Sequence, residues 1–562
     1  MTIPTGMRPT GMRPTGMRPT GTRRTGMRGR IGGRGGAAAL GAVLAAGALA
    51  ACSSDPTQQG AGDTGVLNMY LYQKPKTFSP LAPNNGPDQL VMSFIFDSLY
   101  GADASYELTP RLAEAAPEVS GDAKTITIKL KPGLKWSDGK PLTAKDVVFT
   151  YTALADPETG SAQSGKFAAV KGAKELADGD ADTLDGVTAV DDTTVKITTT
   201  RPAAGLAGLI GNTPILPEHV LGAVPDKDLG GHAFFTRPTV SSGAFTFVQY
   251  KTDQYVELAA NPNHREPVSI KKVYLKPVTS DVATAQLGTG EMDLVQVAPT
   301  DLPTVEAMDG VKVATAKSPG FNRIAVNQSQ DRFKDAKVRQ AMLHAIDRKG
   351  LVDKVLGGAG TVVDSSFYGE LAPAGERYPY DPAKAKSLLA EAGWDPSEPV
   401  TLSWVPGQRD RDTAATVIQS QLGAVGVKVE LEQVQADALL SSYEDRSFDL
   451  ALFGGGNYAT EPSTVGTIDG CDAGYPDGGN IGHFCDEELD RLLERADAVA
   501  DPAERKGLFR RAAEIEQAGV PYLWLYNPDT IWAYRTNLAG FEPSGMPTNE
   551  LGFWNFANWK LS

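Results

Sequence analysis

Residues 400–456 alternate strand and helix patterns, and this alternation restricts the chain to a few folds. The stretches VTLSWVPG, VKVELEQV and FDLALFG read as strands, and DTAATVIQSQLGAVG and DALLSSYEDRS read as the helices between them. Strands joined by crossover helices form a parallel sheet, so the segment predicts an α/β fold. Ligand pockets of such sheets open beyond the carboxyl ends of the strands. We therefore expect loops 405–410 and 454–461 to face a ligand.

Residues 125–154 combine a strand with a helix. Ile126, Ile128 and Leu130 alternate with polar residues, which is the pattern of a half-buried strand. Thr143 and Asp146 have the spacing of a capping box, so we expect a helix to begin there. Taken alone, this unit indicates an α+β domain.

Two Asp-Pro pairs predict helix starts further along the chain. Asp381 and Asp501 are expected to be N-caps, because each is followed by a proline that fits the first helical turn. Gly519 is predicted to end the second of these helices.

The front of the chain reads as an export leader. Eight arginines precede the first acidic residue, Asp55, and a short apolar run, ALGAVLAAGALAAC, follows them. A basic region, a short apolar region and small residues at the exit are typical of a signal peptide. The run is too short for a membrane-spanning helix, which needs about 20 apolar residues. Translation from Met27 instead of Met1 would leave a leader of more usual length.

The end of this run, Leu49-Ala50-Ala51-Cys52, resembles the lipobox of bacterial lipoproteins. In those proteins the cysteine becomes the acylated N-terminus, and two or more acyl chains, palmitate among them, give stable anchoring. The resemblance implies a signal peptide over residues 1–52 with Cys52 as the lipidation site. Residues 53–65 are polar and predict a flexible tether. An ordinary secretory signal that contains a cysteine is the alternative.

Charge and size exclude several classes of protein. The formal net charge is −14, and removal of the basic leader would bring it to about −22. An acidic surface of this kind argues against nucleic acid as a partner and against charge-driven adhesion to anionic lipid. No second long apolar run is present in the sequence. About 510 mature residues exceed one hydrophobic core, so we expect two or three lobes.

Two cysteines remain after Cys52. In an exported chain, Cys471 and Cys485 are most simply a disulfide. His483 lies close by, but a local fourth ligand for zinc is missing and the five histidines are scattered. We expect no metal site and no cofactor.

Several segments, in the same order along the chain, resemble one family, the bacterial extracellular solute-binding proteins of the dipeptide/oligopeptide class (family 5), which feed ABC importers. The segments are LKPGLKWSDGKPLTAKDVVFTY, SSGAFTFVQYKTDQYVELAANPNH, ATAQLGTGEMDL and FKDAKVRQAMLHAIDRKGLVDKVLGGAG. The matches run from about residue 66 to the end and cover nearly the whole mature chain. The resemblance implies a periplasmic-binding-protein-like type II fold with two lobes, a hinge and an extra α+β domain.

The same resemblance implies the domain boundaries. Lobe I would be discontinuous, and the extra domain would interrupt it. The expected segments are 66–99 with 237–315 and 527–562 for lobe I, 100–236 for the extra domain (domain II), and 316–526 for lobe II (domain III).

The implied function is the capture of short peptides between the lobes and their delivery to an ABC permease. The protein would be a monomer, held on the outer face of the cytoplasmic membrane by its lipid alone, on the periplasmic side if the host has an outer membrane. No hydrolase motif is present in the sequence, so we expect no enzyme. An oligosaccharide or another small solute as cargo, and a receptor for signalling peptides, remain alternatives.

The resemblance also implies ligand contacts. Relatives place an acidic residue in the loop after a lobe II strand to pair with the peptide ammonium, where this chain has Asn457. Arg409 matches the position that meets the ligand carboxylate, with Arg411 as the alternative. The remaining expected contacts come from the cleft-lining turn, from two aromatic side chains and from one acid: Ser242, Gly243, Ala244, Trp404, Tyr458 and Glu461.

Overall fold

The computed structural model describes residues 65–83, 86–103, 108–456, 461–476, 478–543 and 555–562. The predicted leader with Cys52, the tether up to residue 64, and the candidate site residues Asn457 and Tyr458 lie outside the described residues. All described residues belong to one compact unit, Pro56–Ser562.

Seven strands form the first sheet, which is mixed. Val66–Leu71 runs parallel to Lys272–Pro277 and to Leu294–Val297, and the other neighbours pair antiparallel. The apolar residues of the central strands are buried, whereas the edge strands Phe245–Lys251 and Val311–Ala316 are partly exposed. Across the sheet, the strands are Val311–Ala316, Thr530–Arg535, Leu294–Val297, Val66–Leu71, Lys272–Pro277, Tyr255–Ala260 and Phe245–Lys251.

The second sheet has six strands and contains the predicted parallel unit. Val400–Trp404 pairs in parallel with both Val429–Gln433 and Leu450–Gly456, and the helices Arg409–Ala424 and Ala436–Glu444 connect them, as predicted. Across the sheet, the strands are Gly360–Val362, Tyr522–Pro528, Gly320–Val326, Leu450–Gly456, Val400–Trp404 and Val429–Gln433.

The third sheet is small and antiparallel, with the strand order Glu118–Val119, Thr125–Lys129, Thr194–Thr198 and Val187–Asp191. The helix Ala144–Ala155 begins with the predicted capping box. The Thr143 hydroxyl accepts a hydrogen bond from the backbone of Lys145 (3.3 Å), and the Asp146 carboxylate accepts one from the backbone of Thr143 (2.8 Å). Each contact satisfies an N–H group that the first helical turn leaves without an intrahelical partner.

The remaining elements are mostly short. Two small strand pairs join Tyr100–Ala102 to Leu108–Pro110 and Leu538–Ala539 to Lys560–Leu561. The other α-helices are Gly86–Ile95, Ala173–Ala177, Leu206–Ile210, Glu218–Leu221, Asp226–Leu229, Ser280–Thr289, Leu302–Glu306, Asp331–Lys334, Ala336–Ala345, Arg348–Val355, Pro382–Glu391, Gly466–Asp469, Glu487–Asp497 and Pro502–Gly519. The 3₁₀ turns are Pro157–Thr159, Ser164–Phe167, Ala233–Phe235, Pro299–Asp301, Gly369–Leu371, Pro462–Val465 and Phe556–Asn558.

The starts of the two Asp-Pro helices and the end of the second one agree with the sequence. Asp381 and Asp501 cap their helices, as predicted. The second of these helices ends at Gly519, as predicted, and the left-handed residue after it is Val520 (φ 52°). Tertiary packing explains the glycine, since a Cβ at position 519 would lie 2.7 Å from the Phe484 ring.

Buried apolar residues divide the molecule into bodies. Leu67 and Phe94 near the first sheet belong to the same continuous cluster as Ile126 and Trp136 near the third sheet. The buried residues around the second sheet form clusters of their own. Because well-packed cores deform little, we expect the first and third sheets to move together. The exact boundaries proposed above for the lobes and the extra domain stay predictions.

The chain passes between the first and second sheets twice, and the two crossings lie side by side. One crossing follows Val311–Ala316 and the other follows Tyr522–Pro528. Lys317 and Asp529 form an ion pair at 2.9 Å between the crossings, and the Asn527 amide donates a hydrogen bond to the Ser318 carbonyl. Two adjacent connections between packed bodies are the usual construction of a hinge.

The disulfide Cys471–Cys485 is present, as predicted. It closes the segment between the helices Gly466–Asp469 and Glu487–Asp497. This segment packs beside the second sheet, where the Tyr522 hydroxyl donates to the carbonyls of Ile468 (3.2 Å) and Gly479 (3.3 Å).

A charged cluster is buried between the second sheet and the helix Pro502–Gly519. Arg323 lies over the rings of Tyr522 (3.8 Å) and Phe321 (4.4 Å). The Asp469 side chain is completely buried and lies next to the carboxyl group of Glu516. Burial and the neighbouring Glu516 raise the pKa of Asp469, and burial also raises the pKa of Glu516. Two adjacent buried carboxyls favour sharing a proton over ionising together.

The raised pKa of Asp469 predicts how stability depends on pH. Above the usual carboxyl pKa the native state binds more protons than the unfolded chain, so this group's contribution to stability is lost as the pH rises through its native pKa. Asp469→Asn removes one titrating carboxyl and keeps the shape of the side chain. We expect the unfolding free energy of the variant to fall less steeply than that of the wild type in urea denaturation from about pH 4 to about pH 8. Parallel curves would contradict a proton-linked cluster.

Candidate functional site

A cleft of about 680 Å³ lies between the first and second sheets. Its first wall contains the start of the helix Ser280–Thr289 and residues 298–301, which follow the strand Leu294–Val297. Its second wall contains residues of Gly320–Val326, and the crossing residues 527–530 also line it. A volume of this size is typical of small-molecule sites.

The carboxyl ends of the parallel strands open into this cleft. Residues 408–411, after Val400–Trp404, and Gly454 and Gly455, at the end of Leu450–Gly456, line it. Residues 408–410 of the first predicted loop and Gly454 and Gly455 of the second therefore lie where the prediction placed them, whereas residues 405–407 and Glu461 are not part of the described lining. Residues 457–460 are outside the described residues.

Two arginines bring positive charge to the second wall. Arg409 is exposed at the first residue of the helix Arg409–Ala424, and Arg411, two residues later, is partly buried. Gly454 lies beside both Asn322 and Arg411, since a Cβ there would be 2.9 Å from the Asn322 amide oxygen and 3.4 Å from the Arg411 guanidinium carbon. The Arg411 Nε is buried without a hydrogen-bond partner, and neither arginine forms an ion pair within the described ranges. Both guanidinium groups can therefore receive an anion.

Acidic groups lie on both walls of the same cleft. Asp281 and Asp301 are on the first wall, and Asp410 is on the second. The Tyr526 hydroxyl donates a weak hydrogen bond to Asp410 (3.4 Å), and burial, with this carboxylate nearby, raises the pKa of Tyr526. The cleft thus offers charges of both signs to one ligand.

Ser242, Gly243 and Ala244 are buried away from the described cleft lining. The Ser242 hydroxyl accepts a hydrogen bond from the backbone of Asp97 (2.9 Å), and the Gly243 N–H donates to the carbonyl of Ile95 (3.0 Å). These contacts join the turn before Phe245–Lys251 to the end of the helix Gly86–Ile95. The polar groups of this turn therefore form hydrogen bonds within the lobe that contains the first sheet.

Trp404 and Glu461 also lie outside the described cleft lining. Trp404 is 3% exposed in the core, and its indole N–H donates to Asp412 (2.8 Å). Glu461 pairs with Arg505 and accepts a hydrogen bond from the backbone of Ser463 (3.0 Å), beside a second cavity. Of the described candidates, the structure places Arg409 and its alternative Arg411 in the cleft and does not bring the others to it.

Several residues that line the cleft were not predicted from the sequence. Asn322 and Asn527 line it from the second sheet, and the first wall, including Thr300 and Asp301, was not predicted at all. One signal was available, because Leu294–Val297 is parallel to Val66–Leu71 and its carboxyl end leads directly to the first wall. The rule used for the second sheet would have found that wall.

The described part of the chain contains neither a candidate metal site nor a candidate membrane-spanning helix. There, no group of three or more His, Cys, Asp or Glu side chains is arranged to hold a metal ion. No helix among the same residues has the length and apolar character to cross a membrane.

Comparison with known proteins gives the same fold. The chain is 28% identical over 542 residues to the oligopeptide-binding protein AppA of Bacillus subtilis strain 168, covering 91% of this chain and 93% of AppA. The structure of AppA in complex with a nonapeptide matches with a TM-score of 0.70 and 26% identity, covering 89% and 99% of the two chains. The ABC transporter substrate binding protein CtaP of Listeria monocytogenes matches with a TM-score of 0.77 and 26% identity, over 89% and 99%.

These likenesses confirm the predicted fold class, a type II periplasmic-binding-protein fold with two lobes and an extra domain. The family model for bacterial extracellular solute-binding proteins, family 5 (Middle), matches residues 107–474, which is more than half of the chain. The chain therefore belongs to family 5 of the bacterial extracellular solute-binding proteins.

Proposed function

We propose that the protein is the substrate-binding component of an ABC importer and captures short peptides in the cleft between its lobes. The observation that carries this proposal is the charge pattern of the cleft. Arg409 and Arg411 have no ion-pair partner in the described ranges, and acidic groups line the same cleft from both walls. A peptide zwitterion carries the two complementary charges at its ends.

Two further observations favour a peptide over a sugar. The relative AppA is named an oligopeptide-binding protein and has been solved with a nonapeptide. Among the described residues that line the cleft, seven are charged and Phe321 is the single aromatic side chain. Sugar-binding relatives use aromatic stacking, which this lining supports poorly, whereas charge-assisted hydrogen bonds suit peptide termini.

Ligand capture would act through the hinge. A peptide that touches both walls stabilises the closed arrangement, so binding shifts the equilibrium between open and closed lobes. The closed form would then be recognised by the membrane permease, and the peptide would be released unchanged. The role requires no bond to be made or broken, so we propose a monomeric binding protein and no enzyme.

We also propose how the protein is placed in the cell. Lipid on Cys52 would hold it on the outer face of the cytoplasmic membrane, and residues 53–65 would act as a tether. The folded part would divide into lobe I, the extra domain and lobe II at the boundaries given above. The sheets fall within these segments to within two residues.

Peptide binding should raise the thermal stability of the purified mature protein. A ligand that binds only the folded state adds RT ln(1 + [L]/Kd), about 2.7 kcal/mol at a concentration of 100 Kd. We expect an upward shift of the melting temperature with some members of a panel of di- to nonapeptides, and a co-purifying peptide in native mass spectrometry. A shift with oligosaccharides and none with peptides would overturn the proposed cargo.

Arg411 should contribute more to peptide affinity than Arg409, because it is partly buried and charge-assisted contacts strengthen as water is excluded. We expect Arg411→Gln to weaken the best-binding peptide of the panel by about 10- to 100-fold in isothermal titration calorimetry, as for loss of a charge-assisted hydrogen bond. Arg409→Gln is the matched control and should have a smaller effect.

The same peptide with an amidated C-terminus identifies the group that Arg411 contacts. Amidation should weaken binding to the wild type and leave the affinity of Arg411→Gln nearly unchanged, since the partner is already absent. Equal losses on amidation in both proteins would remove Arg411 from the carboxylate site.

Lipidation of Cys52 should decide where the protein is found in the cell. We expect the wild type to fractionate with membranes and to carry acyl chains in intact-mass measurement. Cys52→Ala should appear unacylated in the soluble exported fraction or the medium, because no other strong anchor is proposed. Membrane association of Cys52→Ala equal to that of the wild type would rule out the lipid anchor.

A further inference from the structure

The extra domain touches lobe II at a second junction, separate from the described cleft lining. The Ala204 N–H donates a hydrogen bond to the Asp497 carbonyl (2.9 Å). The next residue, Gly205, lies directly against the carboxylate of Glu461 and the guanidinium of Arg505, so that a Cβ at this position would overlap both groups. The contact thus requires glycine at position 205.

The lobe II side of this junction is held in place. The side chains of Glu461 and Arg505 are 5% and 16% exposed and form an ion pair. Arg505 Nε donates to the Ala496 carbonyl (3.0 Å), and its guanidinium lies over the Phe509 ring (4.9 Å). The pair cannot withdraw easily from a side chain introduced at Gly205, because these contacts fix its geometry.

The rest of the junction is poorly packed. A cavity of about 460 Å³ separates the two sides, with Val119 and Ala207 on the extra domain and Phe367 and Val465 on lobe II. Permanent domain interfaces have close-packed cores, and a cavity of this size between the two sides interrupts that packing. The junction therefore resembles a contact that can separate.

No described segment passes between the extra domain and lobe II at this junction. The extra domain shares its buried core with lobe I, and lobe I is joined to lobe II through the paired crossings near Lys317 and Asp529. When the lobes separate about these crossings, the extra domain moves with lobe I and Gly205 leaves the Glu461–Arg505 pair. When they close, the contact forms again.

We infer that Gly205 and the Glu461–Arg505 pair form a closure latch, through which the extra domain stabilises the closed state. They act as positioning residues, because they set ligand affinity without lining the cleft. The effect on affinity depends on the proposed function, since it requires a ligand that favours closure. The latch itself depends only on the geometry of the junction.

Gly205→Ala tests the latch directly. The added Cβ should open the junction and reduce the closed population, so the affinity for the best-binding peptide should fall by about 3- to 10-fold, mainly through faster dissociation. In ligand-free protein, amides 200–210 should exchange hydrogen faster by mass spectrometry, because the Ala204–Asp497 hydrogen bond is lost. Gly121→Ala is the matched control, since a Cβ at that exposed position of the extra domain meets no atom within 4 Å.

A double variant separates a latch from a simple folding defect. Glu461→Ser retains a residue that can cap the Pro462–Val465 turn, and it removes both the carboxylate next to Gly205 and the ion pair with Arg505, so the latch is already lost in this background. Added to Glu461→Ser, Gly205→Ala should change the peptide dissociation rate by less than about 2-fold, and the difference from its effect in the wild type is the coupling. Equal effects in both backgrounds would mean that Gly205 does not act through Glu461, and the latch would be rejected.

The two readouts also separate the latch from the proposed function. If no peptide binds, the hydrogen-exchange comparison alone decides, and faster exchange in Gly205→Ala than in Gly121→Ala supports the latch while the proposed cargo fails. If peptides bind and the two variants match in both exchange and dissociation, the cargo stands and the latch is overturned.

Discussion

The structure depends on two neighbouring crossings between its lobes. Packed cores make each lobe resistant to deformation, so relative motion concentrates at the residues that join them. Here these residues are tied to each other, by the Lys317–Asp529 ion pair and by the hydrogen bond from Asn527 to Ser318. Rotation about this paired connection opens or closes everything on either side of it, and the crossing residues themselves line the cleft.

The cleft and the extra domain acquire their roles from this constraint. Arg323 and Arg411 illustrate two uses of charge in lobe II: aromatic rings surround Arg323 in the interior, whereas Arg411 lies at the cleft with its Nε unsatisfied. A partly desolvated group without a partner costs free energy that a ligand carboxylate can offset. The junction at Gly205 adds a second contact between the moving bodies, so closure can be set from two places.

Local chemistry made much of the fold predictable. The strand and helix patterns of residues 400–456 specify their own elements, and short crossovers leave few ways to arrange them, so the parallel unit followed from the sequence. The capping box at Thr143 and the caps at Asp381 and Asp501 involve partners within three residues. The site was less predictable, because Arg409 lines the cleft whereas Trp404 turns into the core to meet Asp412.

The sequence by itself determined the family motifs, the parallel unit of lobe II, the helix starts and the Cys471–Cys485 pair, because each depends on neighbours close along the chain or on spacing. Only the tertiary structure decided which residues meet across the lobes. Position 519 requires a glycine because the Phe484 ring packs against it. Position 205 requires one because Glu461, which is far away in the sequence, lies directly against it. Patterns along one segment carry no record of what another segment brings to it, so such contacts emerge only when the chain is folded.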